Sequence, residues 1–241
     1  MKGSFALESS CKGKARPAAD LDLAYPHVER LGRGHFPGIV DAWDSGNGFS
    51  FASELMESRS KELGAINYGL SRYSVRCEYR DQTFFVFHVD ISLWNDSLEA
   101  STRDVENFNL LGTLTAKSFR QLPRGVQIAE KFHAYSLPLP PYGQDRKWKA
   151  KHLADLLLLI DDGVPALAEL AAYVQWTFGA RDTHEPPVRL TSLERVRKGA
   201  EEFEIVARMM SLTTKDPGAA FLRVSAVWAD VIDHILRSQR S

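Results

Sequence analysis

Asp20 and Asp22 stand one residue apart in Ala18-Ala19-Asp20-Leu21-Asp22-Leu23-Ala24, with leucines alternating between and after them. On a strand, side chains alternate faces, so both carboxylates would point one way while Leu21 and Leu23 enter a core. Two like charges side by side on a buried strand are costly unless a cation joins them. Mg2+ or Mn2+ suits that task, because a hard divalent ion takes carboxylate oxygens and keeps coordination positions for substrate phosphates. The plainer alternative is a solvated edge strand or a turn, since Asp-x-Asp by itself is common.

A third acid lies far downstream. Gln82–Leu93 is rich in β-branched and aromatic residues and predicts a central strand, apolar on both faces until His88 and Asp90, which share a face. An acid at the end of an otherwise buried strand asks for a counter-charge. Ahead of the dyad, Gly3-Ser4 opens the short apolar stretch Phe5-Ala6-Leu7, and Arg16 stands just before the acids.

A second group of candidates lies in the later half. Arg146, Lys147, Lys149 and Lys151 crowd the first turns of a predicted helix, where cations work against the macrodipole. An anion bound there on free backbone N–H groups would account for them; a solvated helix start is the alternative. Asp155 follows Lys151 by one turn, lysine before acid, the less favourable order for a helix-surface pair. Leu156–Ile160 is apolar all round, so this helix is expected to be buried and the pair to belong to a site. Lys151 would then hold a triphosphate and Asp155 would orient it or the acceptor. Glu130, Lys131 and His133 form another group beside the packing stripe of Ile128, Phe132 and Tyr135, from which Lys131 can reach a phosphate. His133 reads as a structural histidine, since no carboxylate–histidine metal spacing accompanies it. His152 and His184 are likewise unsupported as metal ligands.

The elements that must carry these residues run strands first and helices later. A short helix near 3–10 leads to the dyad strand near 18–24, and 27–43 is helix or loop. Its Gly32, Gly34 and Gly38 lack the spacing and preceding strand of a phosphate-binding fingerprint. Strands are predicted from Phe49 and over Leu70–Tyr79 and Gln82–Leu93, the last two joined in a tight hairpin through Arg80 and Asp81. Residues 94–122 look irregular. From Pro123 onward helix-spaced apolar residues mark Gly125–Tyr135, Lys147–Asp161, Val164–Phe178, Leu193–Leu212 and Phe221–Arg237, separated by proline and glycine signals. The expected architecture is α+β: a catalytic domain over 1–122 and an all-helical domain over 123–241 that completes the nucleotide site.

Composition permits such an enzyme and excludes others. The 241 residues are 44% hydrophobic and 25% charged, an ordinary globular balance. A net charge of −1 provides no global basic field, so any nucleic-acid contact must come from a local patch. Cys11 and Cys77 match no metal or redox spacing and read as reduced thiols. The longest apolar run, Leu156–Ile160, is far too short to span a bilayer, and no secretory pattern opens the chain, which makes the cytoplasm the default location.

Several separate blocks, in order, resemble the AbiEii/AbiGii nucleotidyltransferase toxin family of type IV toxin–antitoxin and abortive-infection systems. They are Lys2-Gly3-Ser4-Phe5-Ala6-Leu7, Arg16-Pro17-Ala18-Ala19-Asp20-Leu21-Asp22-Leu23, Phe87-His88-Val89-Asp90, and Gln127 through Tyr135. The blocks continue with Lys151-His152-Leu153-Ala154-Asp155-Leu156 and close with Thr177-Phe178-Gly179-Ala180-Arg181-Asp182-Thr183-His184-Glu185-Pro186-Pro187. The glycine-serine, the dyad and a later acid also follow the order of the wider polymerase-β-like superfamily, whose mixed sheet flanked by helices is the implied fold.

What the resemblance implies is a metal-dependent transfer of a nucleoside monophosphate from an NTP to an acceptor such as a tRNA 3′ end, with a cognate antitoxin as partner. Asp20, Asp22 and Asp90 would hold Mg2+ or Mn2+, with Asp90 a third ligand or the base for the acceptor hydroxyl. Gly3 and Ser4 would let the backbone approach the phosphates, and Lys131 and Lys151 would neutralise the triphosphate with Asp155 beside them. The chain departs from the family pattern at Ser4, where a second glycine is frequent, at Ala18 for Thr or Ser, and at His152 for the first Asp of Lys-Asp-x-x-Asp. Family members also carry helical sequence upstream, which makes Met1 a candidate internal start. Two other functions stay open: a small-molecule nucleotidyltransferase of the antibiotic-modifying kind, and a degenerate, non-catalytic binding protein of the same fold.

Overall fold

Strand-forming residues gather in the first half of the chain and become a four-stranded sheet. The computed structural model describes residues 2–11, 14–15, 20–25, 32–43, 48–56, 71–93, 103–105, 119–137, 146–191 and 199–240. They fall into two units, one drawn from Met1–Ala6, Pro17–Glu106 and Ser118–Gln121, the other from Leu7–Arg16 and Leu122–Ser241. The helix α1 (Gly3–Ser10) spans the point at which the first passes into the second.

In the first unit, β1 (Asp20–Tyr25), β2 (Phe49–Leu55), β3 (Ser71–Tyr79) and β4 (Gln82–Leu93) form a mixed sheet of order β1-β4-β3-β2. β1 runs parallel to β4 and the other pairs are antiparallel. One face is apolar: Tyr73, Val75, Val89 and Ile91 are buried there, with Leu21, Leu23, Phe51, Leu55 and Phe87 against them. Phe36 and Val40 of α2 (Gly32–Asp41) complete this core, the Phe36 ring 4.6 Å from that of Tyr73. The Asp41 carboxylate ties α2 to β2 by accepting from the Ser53 backbone N–H at 3.1 Å.

The β3–β4 hairpin turns through Arg80 and Asp81, whose φ values of 50° and 63° are both left-handed. A two-residue loop of this kind matches strand twist but favours Asn-Gly, because a Cβ strains that backbone region. Asp81→Gly is therefore expected to raise stability by about 1 kcal/mol, read as a higher midpoint in chemical denaturation. An unchanged or lower midpoint would show that Asp81 contributes something the turn geometry does not reveal.

Tyr79 pairs with Gln82, so an unbroken register would set Arg72, seven residues back, opposite Val89, seven residues on. The register instead shifts beside Cys77 and Glu78: Glu78 faces Thr83, Cys77 faces Phe85, and Phe84 is the extra residue. This bulge brings Arg72 opposite Asp90 and Tyr73 opposite Val89, matching charge with charge and core with core.

β4 is central, yet its first half is not buried on both faces as its composition suggests. Phe84 and Phe85 are 71% and 58% exposed. β1 is short and pairs with β4 only from His88 onward, leaving the hairpin end without a β1 neighbour. A further correction falls in the stretch expected to be irregular: β5 (Arg103–Val105) and β6 (Phe119–Gln121) pair antiparallel in a second small sheet. The rest of 94–118 lies outside the described residues.

The second unit is helical among the described residues. Its long elements are α3 (Arg124–Ser136), α4 (Arg146–Asp161), α5 (Leu167–Arg181), α6 (Ala200–Met209) and α7 (Pro217–Ser238). α5 starts after Pro165 rather than at Val164, as a proline ring restricts the residue before it. It ends at Asp182, which takes a left-handed φ of 43°. Residues 193–198 of the predicted Leu193–Leu212 helix lie outside the described residues. Asp216 caps α7 by accepting from the Gly218 and Ala219 N–H groups at 3.3 and 2.9 Å, and Pro217 takes the first helical position. The α4 run from Leu153 to Ile160 is buried throughout, as are Val126, Ile128 and Phe132 of α3 and Val224, Trp228 and Val231 of α7, with the Phe132 and Trp228 rings 4.8 Å apart. Cys11 and Cys77 are free and buried. Burial, followed by the charge of Asp162 and against those of Arg124 and Lys14, pushes the Cys11 thiol up to about 11, so it stays protonated at neutral pH.

Candidate active site

The acids of the first unit share one face of the sheet. In the parallel β1–β4 ladder Asp20 is in register with His88 and Asp22 with Asp90. In the antiparallel β3–β4 ladder Ser74 faces His88 and Arg72 faces Asp90. Residues in register on adjacent strands point the same way, so Asp20, Asp22, His88, Asp90, Arg72 and Ser74 all lie opposite the apolar core. The three carboxylates, from two distant segments, thus lie on one side of the sheet.

Arg72 dominates the electrostatics of that face. Its Nε donates to Asp90 Oδ1 at 2.6 Å and its Nη2 donates to Asp90 Oδ2, a fork-to-fork pair. The same Nη2 lies 3.7 Å from Asp20 Oδ2, and His88 Nδ1 lies 3.5 Å from Asp20 Oδ1. The hydrogen bond to Asp90, with the charges of Asp90, Asp20 and Asp22 behind it, raises the Arg72 pKa against the opposing effect of burial. Sequence reading missed Arg72. Its alternation with Tyr73 and Val75 was visible, but which residue it faces depends on the bulge at Phe84.

Gly3 is required where it stands. The Lys2 N–H donates to the Asp22 carbonyl at 2.9 Å, an isolated antiparallel bridge that lays the start of α1 along β1. Gly3 follows with a φ of +69°, and a Cβ there would fall 1.8 Å from Asp22 Oδ2. Both the backbone angle and the contact exclude a side chain. Ser4, buried, is the next residue of α1.

The remaining candidates lie in the second unit. Lys131 Nζ on α3 donates to Asp155 Oδ2 on α4 at 2.7 Å, with the Asp155 side chain fully buried. Lys151 is exposed, so the expected Lys151–Asp155 pair is replaced by Lys131–Asp155. A buried carboxylate needs a partner that is also out of water, and the exposed Lys151 does not supply one. The side chains of Arg146, Lys147 and Lys149 lie outside the described residues. His152 is buried, and Glu130 pairs with Arg181 of α5 at 2.8 Å.

His133 proves structural. Ser136 Oγ donates to the His133 carbonyl at 3.1 Å, which leaves Ser136 to accept from His184 Nε2 at 2.7 Å. Thr183 Oγ1 then donates to His184 Nδ1 at 3.0 Å and accepts from His133 Nε2 at 2.7 Å. The chain pins the segment after α5 onto α3 with the His133 imidazole neutral. Burial first, then the charges of Arg181 and His184, lowers the His133 pKa to about 3, against the pull of Glu130. An unfolded histidine titrates near 6.5, so below that pH the unfolded chain binds a proton the folded one refuses. Stability is fully present above 6.5 and falls by about 1.4 kcal/mol per pH unit on acidification toward 3. In His133→Gln the loss between pH 7 and 5 should shrink by about 2 kcal/mol. Equal losses in the two proteins, measured by urea denaturation, would remove His133 from that role.

The donor chemistry of the first unit fits a hard divalent ion: carboxylate oxygens without a thiol, on adjacent register positions, with Gly3 leaving the Asp22 carboxylate its space. Asp20 and Asp22 are the donors placed for it. Among the described residues no three His, Cys, Asp or Glu side chains already form a ligand cluster. Both oxygens of Asp90 accept from Arg72, one N–H each, and each oxygen keeps a second lone pair.

Comparison with known proteins gives a family and a fold. A family described as nucleotidyl transferase AbiEii toxin, type IV toxin–antitoxin system, matches residues 1–225. No curated protein matches by sequence. Among solved structures the chain is similar to MenT4, a nucleotidyltransferase toxin from Mycobacterium tuberculosis H37Rv. The TM-score is 0.59 at 16% identity, over 96% of this chain and 74% of that one. At that identity the likeness speaks for a shared α+β fold.

Proposed function

The chain belongs to the AbiEii nucleotidyl transferase toxin family of type IV toxin–antitoxin systems, and on that premise we propose that it moves a nucleoside monophosphate from an NTP to a tRNA 3′ end, with Mg2+ or Mn2+. The observation that carries this reading is the common face of Asp20, Asp22 and Asp90, with the Gly3 backbone pressed against Asp22. A divalent ion held by Asp20 and Asp22 would supply charge neutralisation at the transferred phosphoryl group.

The chain's own residues do the rest. Gly3 and Ser4 open α1, and their backbone N–H groups suit a phosphate at a helix N-terminus. Asp90 is the proposed third ligand or the base for the acceptor hydroxyl, with Arg72 donating to both of its oxygens. In the second unit Lys131, held by Asp155, and Lys151 are the proposed cations for the triphosphate. Among the described residues no helix is long and apolar enough to cross a membrane. A tRNA acceptor would place the reaction in the cytoplasm, and a type IV toxin implies a cognate antitoxin as partner.

The test is incubation with labelled NTPs, Mg2+ and total tRNA beside Asp20→Asn and Asp22→Asn controls. Label on tRNA that disappears in both controls is the expected result. Label on small molecules instead would indicate an antibiotic-type enzyme, and no label at all would leave a fold without chemistry.

A further inference from the structure

We propose that Arg72 is the resident cation of the acidic face, a positioning residue whose guanidinium holds Asp90 and competes with a divalent ion for the carboxylates. This rests on the metal-dependent reading above and adds to it a residue that the sequence motifs leave out.

Four observations carry it. The guanidinium engages both Asp90 oxygens and reaches to 3.7 Å of Asp20, so one side chain touches acids from both β1 and β4. Arg72 and Asp90 are largely shielded from water, at 15% and 12% exposure, where charge interactions are strong. The pairing exists only because the Phe84 bulge slips the register by one residue; without it Arg72 would face the buried Val89. Finally, three acids set in register around one guanidinium leave a face whose charge is only partly balanced. An ion entering between Asp20 and Asp22 meets the Arg72 charge, so Arg72 must weaken metal binding for as long as it stays.

The experiment measures Mn2+ affinity by electron paramagnetic resonance of the free ion, using the full chain without nucleotide. Arg72→Gln should bind Mn2+ about tenfold tighter or more than the wild type, while Arg72→Lys, which keeps the charge, stays close to it. Equal binding by all three proteins overturns the role of Arg72 and leaves the metal reading standing. Absence of binding in all three overturns both.

Should Arg72→Gln fail to fold, the wild type still answers. The arginine Nε–H resonance that disappears in Arg72→Lys should shift or broaden as Mg2+ saturates, and should ignore added K+. A resonance unmoved at saturating Mg2+ defeats the proposal.

Discussion

Asp22→Asn is expected to fold normally and to lose nucleotidyl transfer by about a thousandfold, with Asp20→Asn close behind. A metal at a reacting phosphoryl group supplies several kcal/mol of charge stabilisation, and each 1.4 kcal/mol is tenfold in rate. Folding should survive for a local reason. Asn keeps the size of Asp, so the close packing of the Asp22 side chain on Gly3 is retained, while one negative charge leaves a face that holds three. The midpoint of thermal unfolding should stay within about 4 °C of the wild type, the shift that about 1 kcal/mol produces in a chain of this size. Mg2+ with NTP should raise the wild-type midpoint, since a ligand at a hundredfold its dissociation constant adds about 2.7 kcal/mol, and should leave the variant unmoved. An Asp22→Asn protein with full activity would remove the dyad from the chemistry. One that lost activity only because it melted early would show a structural acid.

Much of this site was legible because it depends on local periodicity. Alternation alone puts Asp20 with Asp22 and His88 with Asp90, and the two-residue turn at Arg80 and Asp81 fixes β3 against β4. What escaped depends on contacts that no local pattern encodes. Arg72 could not be matched to Asp90, since simple hairpin counting pairs it with Val89, and one extra residue at Phe84 changes the answer. β5 and β6 are three residues each, too short for any period to register. Asp155 shows the same limit in a helix. Counting by turns offers Lys151, four residues away, whereas the carboxylate turns inward and meets Lys131 on a different helix, 24 residues back. The burial of α4 was readable from Leu156–Ile160, but burial itself excludes an exposed lysine as partner, and that consequence becomes visible only with the packing in hand.

Breaking that pair should have the largest effect on stability of any change considered. Lys131→Met removes the lysine that donates to the fully buried Asp155 carboxylate. Loss of one partner from a buried ion pair costs about 3–5 kcal/mol, which lowers the melting temperature of a chain this size by about 10 °C. Activity would fall as well, but that fall alone cannot separate a phosphate-binding lysine from a packing one. The double replacement Lys131→Met with Asp155→Leu can. Well-packed apolar residues often replace a buried pair at no cost or with a gain, because the desolvation of both charges is then avoided. The double variant should therefore recover most of the lost melting temperature. If Lys131 neutralises the triphosphate, transfer stays abolished in that restored fold, with nucleotide affinity weakened. If transfer returns together with stability, the pair only holds α3 to α4, and the cation for the phosphates must come from elsewhere. A double variant that melts as early as the single one would mean that the Lys131–Asp155 interaction stabilises more than its desolvation costs, contrary to the usual balance for buried ions.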